Sequence, residues 1–357
     1  MNTSPLDTGA FAKLVSQLRA VNAELEQSEV WPAAAWKLLD EAGVLRWFLP
    51  EKHGGMPVDE TTKQLGYLEL ASACLTTTFI LTQRNAAVSR ILLSNNEPLK
   101  KDLSQKLARN QIFATVGISH LTTSRQHLAS PVVQAIPDDH GWILTGEIPW
   151  VTGAEAADVI VTGGVQPDGL QILVALETSN DGITVQMPPR LLALNESRTS
   201  SVSLNEVRVS RERLLLGPET QVLKAGGAGG VTTSALGLGS AQKSILGIAE
   251  EAEKREELRP VAAHLRETLE VLKSDLIAIT QSAVDPSKES LETLRKQSNS
   301  LALRSAQAYL TACKGAGFLA GHPASRAIRE AQFFLVWSCP QPVMAAALAE
   351  FACPTSK

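Results

Sequence analysis

A tryptophan and a threonine two residues apart stand in a turn between two strand-like segments. Trp150 and Thr152 belong to the stretch Gly146-Glu-Ile-Pro-Trp-Val-Thr-Gly-Ala154, which lies between the apolar runs Trp142–Thr145 and Val159–Thr162. An indole and a hydroxyl among small residues would let a planar ligand lie against the backbone. The same pattern also fits an ordinary β-turn with a core tryptophan, so the surrounding segments must decide.

A second polar stretch precedes the turn in the sequence. It reads Gly117-Ile-Ser-His-Leu-Thr-Thr-Ser-Arg125 and is rich in hydroxyl groups, among them those of Ser119 and Ser124. Such a loop could bind a polar cofactor through its hydroxyl and amide groups, or it could be a plain surface loop. The residues alone favour neither interpretation.

Motifs for other chemistries are missing or incomplete. The six histidines show no metal-ligand spacing on a predicted helix, and no Gly-x-Ser-x-Gly nucleophile elbow occurs. Gly237–Ser244 is similar to a phosphate loop, but Gln242 takes the place of its last glycine. We therefore predict that this stretch begins a helix of small residues, Ala235–Ile248, that packs closely against a neighbour.

Composition excludes several classes of function. The 357-residue chain is 44% hydrophobic and 20% charged, with a net charge of −4, which favours neither nucleic acid nor an anionic membrane as a partner. The cysteines Cys74, Cys313, Cys339 and Cys353 are scattered, which argues against a disulfide framework or a zinc site. The N-terminal residues do not resemble a signal peptide, and no apolar run is long enough to span a bilayer. We expect a cytoplasmic protein.

The elements that must position these residues fall into three parts. Residues 1–111 show the apolar spacing of helices, and residues 112–217 contain short β-branched segments separated by turns. Residues 218–357 begin with a glycine-rich linker and continue with about four helices. We predict a mainly α protein in which a central antiparallel β domain, a barrel or sandwich, lies between a helical N-terminal domain and a C-terminal four-helix bundle. The predicted strands are Val132–Ile136, Trp142–Thr145, Val159–Thr162, Gln171–Leu176, Ile183–Met187, Ser201–Leu204 and Val207–Val209, and the predicted bundle helices are Ser234–Arg255, Val261–Ser282, Ser287–Gly315 and Ser325–Phe351.

This order of parts resembles the acyl-CoA dehydrogenase superfamily, and several local patterns agree. Leu39–Gly55 is similar to that family's pattern of helix, glycine, apolar run and Pro-Glu-x-x-Gly-Gly. Ala114–Ser124 falls where the family has its first flavin-binding loop, and Trp150-Val-Thr152 resembles its Trp-Ile-Thr element. Gly315-Ala-Gly-Phe318 and Arg326–Ala331 resemble its glycine-rich turn and its Arg-Asp-Ala helix start. The resemblance covers nearly the whole chain.

The resemblance implies FAD as the cofactor and an acyl-CoA as a substrate class. Thr152 would donate a hydrogen bond to the redox-active edge of the flavin, and Trp150 would pack on its ring. Backbone groups of Gly117, Ile118 and Ser119 would contact the pyrimidine end, and Ser124 the pyrophosphate. Gly315 and Gly317 would meet the cofactor of a neighbouring subunit, so the resemblance also implies a homodimer or homotetramer.

The sequence departs from the family pattern where the catalytic glutamate is expected. Counting from Arg329, the aromatic-Glu-Gly-Thr element becomes Trp337-Ser-Cys-Pro340, so Ser338 occupies the position of the base. The alternative base position falls near Gly229 or Gly230. A serine hydroxyl is not ionised near neutral pH, and Glu330, roughly 12 Å away along a helix, is a poor substitute. The first flavin loop also lacks its usual acidic pattern.

Three hypotheses remain. The first is a flavin oxidoreductase of this family that acts on an acyl thioester through an unrecognised base. The second is a flavin-dependent monooxygenase on the same fold, which uses reduced flavin and oxygen and needs no glutamate at this position. The turn Thr152-Gly-Ala154 of this chain resembles the turn of that monooxygenase branch. His120 or Ser119 could stabilise the reactive oxygen. The third is a non-catalytic member that binds FAD or a thioester.

Overall fold

Among its described residues, the first part of the chain contains five α-helices with short connections. The computed structural model describes residues 4–25, 29–121, 131–224, 229–282 and 287–352. The helices are α1 (Gly9–Leu25), α2 (Ala33–Glu41), α3 (Glu60–Ala73), α4 (Leu75–Leu93) and α5 (Glu97–Ala108). Asp59 caps the N-terminus of α3, because its carboxylate accepts a hydrogen bond from the backbone N–H of Thr62 at 2.8 Å. Helix α4 buries residues around most of its circumference, so it lies in the interior between other elements.

In the described part of the chain that follows, eight strands form a single sheet. They are β1 (Ala114–Val116), β2 (Val133–Pro137), β3 (Gly141–Val151), β4 (Val159–Val165), β5 (Gln171–Glu177), β6 (Ile183–Val185), β7 (Ser200–Ser210) and β8 (Leu214–Glu219). The hydrogen-bonded order is β6-β7-β3-β2-β4-β5-β8, with β1 paired to β4. Most pairs are antiparallel as predicted, but β1 and β2 both run parallel to β4. The β2–β3 hairpin lies between β1 and β4 in sequence, so β4 returns beside β1 in the same direction.

The strands differ from the prediction in several places: β1 was not predicted, and β6 ends at Val185 rather than at Met187. The segments around Ser201 and Val207 form one strand, β7, because Glu206 adopts a positive φ of 53° and the strand continues past it. Strand β3 extends to Val151, so Trp150 belongs to a strand that was predicted to end at Thr145. Strand β8 was not predicted, because its apolar run Leu214–Leu216 was read as the exit from the β domain.

The last part of the chain is helical again. It contains α6 (Gly229–Ala252), α7 (Arg259–Gln281), α8 (Lys288–Gly317), α9 (Pro323–Ala331) and α10 (Gln341–Ala352). The prediction of one helix over Ser325–Phe351 is wrong, because α9 passes into a 3₁₀ turn, Gln332–Leu335, and the chain then turns before α10. Pro340 explains the break, since proline disfavours helical backbone at the residue before it and cannot donate a helical hydrogen bond.

Helix α6 packs closely on two neighbours, as its small residues predicted. It lies against α3 and α8. A Cβ built on Gly239 would lie 2.4 Å from the carbonyl oxygen of Leu68, and one on Gly247 would lie 2.3 Å from the ring of Tyr309. The glycines are therefore required by the short distance between the helices rather than by any phosphate.

Gly239→Ala is expected to lower the free energy of unfolding by about 1–3 kcal/mol, because the Leu68 carbonyl is backbone and cannot move aside. This loss should exceed the gain of roughly 1 kcal/mol in helix propensity. Gly237→Ala is the matched control in the same helix, since its Cβ would find no atom nearer than 3.5 Å. Urea unfolding of both variants tests the contact, and equal stability would contradict it.

Within the described residues, no helix combines the length and the low charge needed to cross a bilayer.

Candidate functional site

The Trp150 turn, which is the bulge at Trp150 together with the residues up to Ala154, interrupts the regular pairing of β3 with β7. Pairing between β3 and β7 shifts register between Ile148 and Val151, and Trp150 takes a positive φ of 56° within this bulge. Its indole is 55% exposed, whereas Val151 and Thr152 on either side of the strand end are buried. A bulge is a means of re-aiming one side chain without ending a strand. Here it leaves a large aromatic surface uncovered at the end of β3.

Gly153 fixes the turn that follows. It has a positive φ of 66°, and its N–H donates to the carbonyl of Ser197 at 2.8 Å. A Cβ at this position would lie 2.8 Å from the ring of Trp31 and 2.9 Å from that of Phe113. Only glycine meets both requirements without strain. The turn is therefore anchored to the loop before β7 and to an aromatic cluster of the helical part.

The Thr152 hydroxyl lies at the end of a buried chain of hydroxyl groups. Thr199 donates to the Oγ1 of Thr152 at 3.1 Å, and the hydroxyls of Ser197 and Thr199 are 2.8 Å apart. A hydroxyl has one hydrogen, so Thr199, having donated it to Thr152, must accept from Ser197. Thr152 accepts in this chain and keeps its own hydrogen for another acceptor. The arrangement makes Thr152 an oriented donor, as a flavin edge would require.

The predicted loop residues lie beside this turn. Ser119 donates to the carbonyl of Pro149 at 3.3 Å, and a Cβ on Gly117 would lie 2.5 Å from Ile148. Gly117 donates to Val161, and its carbonyl accepts from Thr162 at 2.6 Å. The structure thus brings Gly117, Ile118 and Ser119 together with Trp150 and Thr152, although the backbone of Gly117 is already engaged by β4. Ser124 lies outside the described residues.

His120 faces the interior of the sheet. Its ring is buried, and Nε2 lies 2.9 Å from the carbonyl oxygen of Gly163 in β4. A histidine in this position ties the loop to the strand. The contact gives no support to a role for His120 in stabilising reactive oxygen.

The position expected for a catalytic base lies in the turn before α10. Ser338 is exposed and has a positive φ of 45°. The turn is held through the carbonyl of Trp337, which accepts a hydrogen bond from Arg295 Nη2 at 2.9 Å. The Trp337 ring stacks on Phe333 at 4.9 Å and meets the edge of Phe79 at 5.1 Å, so α4 packs against this turn.

Arg295 is 2% exposed and has no carboxylate partner among the described residues. Burial lowers the pKa of its guanidinium to about 10. Two of its nitrogens, Nε and Nη1, have no hydrogen-bond acceptor in the same part of the structure. The hydrogen bond to the Trp337 carbonyl is therefore the one described bond of the Arg295 guanidinium, and it holds the backbone of the turn that contains Ser338.

Glu330 cannot serve as a general base. It is 2% exposed and accepts hydrogen bonds from Lys243 at 2.9 Å and from Arg326 Nε at 2.6 Å. Burial disfavours its charge, but the attraction of Lys243 and Arg326 outweighs that effect and lowers the pKa of Glu330 to about 2. A carboxylate held by two cations at such a pKa is a weak proton acceptor.

Sequence reasoning missed a second buried carboxylate, Glu196. Among the residues that the structure describes, Glu196 and Glu330 are the two buried acidic side chains. Glu196 lies in the 3₁₀ turn Asn195–Ser197, which packs against α4 and adjoins the hydroxyl chain. Leu194 and Arg198 flank this turn with positive φ values of 63° and 48°. Strained backbone of this kind clusters at functional sites, but no local sequence pattern announces it.

Gly315 and Gly317 lie apart from the Trp150 turn, at the end of α8. The helix has a non-helical residue at Lys314, and it packs mainly on α6, α9, α7 and α10. A Cβ on Gly317 would collide with Cys313 at 2.7 Å, whereas one on Gly315 would meet no atom within 4 Å. Phe318 next to them is 83% exposed.

Metal and disulfide chemistry find no support in the described residues. No group of three or more histidine, cysteine or acidic side chains is placed there to hold a metal ion. Cys74, Cys313 and Cys339 are free thiols, and Cys353 lies outside the described part of the chain.

Comparison with known proteins relates the N-terminal part to a known family and the whole chain to a known fold. The profile of the family described as "Acyl-CoA dehydrogenase, N-terminal domain" matches residues 10–111. The solved structure of a glutaryl-coenzyme A dehydrogenase with glutaryl-CoA has the same fold, with a TM-score of 0.82 at 17% identity, over 97% of this chain and 96% of the other. Residues 10–111 thus match a family of acyl-CoA dehydrogenases, and the chain, with its helical, β and helical parts in this order, has the fold of that superfamily.

Two curated relatives differ in their chemistry. Probable acyl-CoA dehydrogenase YngJ of Bacillus subtilis is 26% identical over 230 residues, which cover 62% of this chain and 60% of the relative. Dibenzothiophene monooxygenase of Rhodococcus erythropolis is 23% identical over 216 residues, which cover 59% and 51%. The chain thus matches about half to three fifths of the length of these relatives. The homologues are oxidoreductases of two kinds.

Proposed function

We propose that this protein is a flavin-dependent oxidoreductase that binds FAD and acts on an acyl thioester or a related small substrate. The observation that carries the proposal is the pair of groups at the end of β3. Trp150 offers an exposed aromatic surface, and Thr152 offers a hydroxyl whose acceptor side is already occupied by Thr199. A flavin ring needs both an apolar surface and a donor at its redox-active edge.

The residues present fit such a cofactor. Trp150 would pack on the ring, Thr152 would donate to its edge, and Ile118 and Ser119 would contact the pyrimidine end from the neighbouring loop. Ser124 remains the proposed contact of the pyrophosphate. A flavin bound here would supply the electron-accepting chemistry, while these residues bind it, orient it and exclude water from its covered face.

The dehydrogenase hypothesis also requires a group that removes a proton from the substrate. Ser338 cannot do so, and Glu330 is held by Lys243 and Arg326. Glu196 is the remaining buried carboxylate of the described residues, and its turn lies beside the hydroxyl chain and α4. We propose Glu196 as the candidate base to test.

Glu196→Gln should slow anaerobic flavin bleaching by a saturated acyl-CoA by about 10²-fold or more if Glu196 is the base. Flavin content and unfolding midpoint separate this effect from a loss of structure. Glu270→Gln, on the surface of α7 and away from this turn, is the control and should bleach at the normal rate. Bleaching that Glu196→Gln leaves unchanged rules out this assignment.

The second candidate function is a flavin-dependent monooxygenase. It is favoured by the similarity to dibenzothiophene monooxygenase and by a Ser338 turn that carries no carboxylate. The third candidate function is binding of FAD or a thioester without catalysis. In that case the Trp150 turn would still bind its ligand. The monooxygenase requires oxygen, whereas reduction of the flavin by an acyl thioester does not.

An anaerobic visible spectrum separates the candidates. Purified protein is incubated with FAD, or with FMN for comparison, and then with a panel of acyl-CoAs. Bleaching by a thioester establishes a dehydrogenase. A bound flavin that no thioester bleaches, but that oxidises a substrate when reduced and exposed to oxygen, establishes the monooxygenase. Absence of a bound flavin refutes the main proposal.

Thr199→Val is expected to weaken flavin binding by roughly 3–10-fold, because Thr152 would lose the donor that orients its hydroxyl, a loss of about 1 kcal/mol. The isosteric change keeps the β-branched shape. Thr184→Val at an exposed position of β6 is the control. Flavin titration followed by fluorescence tests both variants, and equal affinity in both would show that the hydroxyl chain does not act on the cofactor.

We also propose self-association as a homodimer or homotetramer, a cytoplasmic location, and domain limits at residues 1–111, 112–217 and 218–357. The apolar residues Phe318, Leu348 and Phe351 are exposed near the end of the chain, which supports an interface there. Light scattering coupled to gel filtration measures the assembly, and a monomer would contradict the interface.

A further inference from the structure

A groove on the helical N-terminal part contains a buried histidine without a partner. The groove has a volume of about 420 Å³ and lies among the chain around Phe48 and His53, α3 and α5. The His53 side chain is 8% exposed, and neither ring nitrogen has a hydrogen-bond partner among the described residues. Unpaired buried polar atoms cost free energy and call for an explanation.

Lysines surround this histidine. Lys52, Lys63 and Lys100 line the groove with it. The side chains of Lys63 and Lys100 are only 21% and 15% exposed, so their stems form part of the wall rather than extending into solvent. Lys63 Nζ lies 5.0 Å from the centre of the Phe48 ring. The groove therefore combines an apolar floor with fixed positive charge.

The nearby acidic groups do not neutralise this charge. Lys100 pairs with Glu97 at 2.6 Å, and Lys63 pairs with Glu60 at 3.5 Å. Lys52 and Lys101 also act on His53, and both disfavour its protonated form, whereas Glu97 favours it. Around His53, the four lysines Lys52, Lys63, Lys100 and Lys101 therefore outnumber Glu60 and Glu97, and the net charge of this group is positive.

We propose that this groove binds a small organic anion, a phosphate or carboxylate group carried on a compact apolar body. The anionic oxygens would accept hydrogen bonds from His53 and from Lys52 and Lys100, and the apolar body would lie against Phe48 and Leu92. The site is separate from the Trp150 turn, so it goes beyond the proposed function and does not depend on it.

The protonation of His53 is coupled to binding of the anion. Burial, followed by the charge of Lys52, lowers the pKa of His53 below its ordinary value. A bound anion favours the imidazolium, because it accepts from a second ring N–H, and therefore raises the pKa of His53 again. The affinity for the anion must then rise as pH falls through the pKa of the bound form, and level off below the pKa of the free form.

Nuclear magnetic resonance of the histidine rings tests the site in the full chain. Inorganic phosphate and phenyl phosphate are titrated at constant ionic strength, with sodium chloride as the ionic-strength control. We expect a saturable shift of the His53 signals and a higher titration midpoint, with phenyl phosphate binding more tightly than inorganic phosphate. The exposed His264 on α7 is the internal reference.

Two lysine variants keep the test independent of any change at His53 itself. Lys52→Gln combined with Lys100→Gln should weaken phenyl phosphate binding by about tenfold or more. Lys106→Gln, on the same helix α5 and paired with Asp102 on the surface, should change it less than about twofold. An unmoved His53 signal, an equal shift of His264 or equal effects of the two lysine variants would overturn the proposal.

Discussion

Glu330→Gln is expected to lower the free energy of unfolding by about 3–5 kcal/mol. The substitution removes the negative charge but leaves the buried Arg326 and the largely covered Lys243 without a carboxylate partner. Arg326 is almost fully buried, so it cannot turn to water without disrupting the packing of α9. Chemical unfolding monitored by circular dichroism measures the loss. Glu270→Gln, in an exposed pair with Lys273, is the control and should cost at most about 1 kcal/mol.

The same carboxylate sets a pH dependence of stability. The folded pKa of Glu330 is about 2, below its ordinary value of 4.5. Its contribution is therefore complete above the ordinary value and is lost as pH falls toward the folded pKa. The wild type should lose more stability than Glu330→Gln over this acid range. Parallel pH profiles for the two proteins would show that the ion cluster is not intact.

Trp150→Ala is expected to weaken flavin binding by about 30–100-fold, which corresponds to about 2–3 kcal/mol of lost aromatic packing and burial. Stability should change little, because Trp150 is more than half exposed. Fluorescence titration with FAD measures the affinity.

Trp150→Phe is the matched control, since it keeps an aromatic face at the same strained backbone position. It should retain most of the affinity. Met187→Ala, at another exposed apolar residue of the β part, should have no effect. Wild-type affinity in Trp150→Ala would mean that the cofactor lies elsewhere, and the proposed site would have to be abandoned.

Local periodicity predicted the helices and most strands correctly, because each depends on residues close in sequence. The break before α10 was missed even though Pro340 was visible, since the apolar spacing around it continued to favour a helix. The bulge at Trp150 depends on how β3 pairs with β7, and no pattern within β3 specifies that register.

The candidate site could be predicted only in part, for the same reason. Trp150 and Thr152 were found because they are neighbours in sequence. The donor to Thr152 is Thr199, 47 residues away, and the partner of Glu330 is Lys243, 87 residues away. Such contacts arise from the packing of whole elements. Sequence spacing already made Glu330 a poor substitute for the base, but only its contacts show that its charge is neutralised by Lys243 and Arg326.

The anchoring of the Ser338 turn has an evolutionary consequence. Arg295 binds the carbonyl of Trp337, which every amino acid would present in the same way, and the Ser338 side chain is exposed. Residue 338 can therefore be exchanged without disturbing the bond that holds the turn, within the limits of its positive φ. The scaffold is robust to the loss or gain of a carboxylate there. Chemistry at this position is free to diverge while the architecture persists.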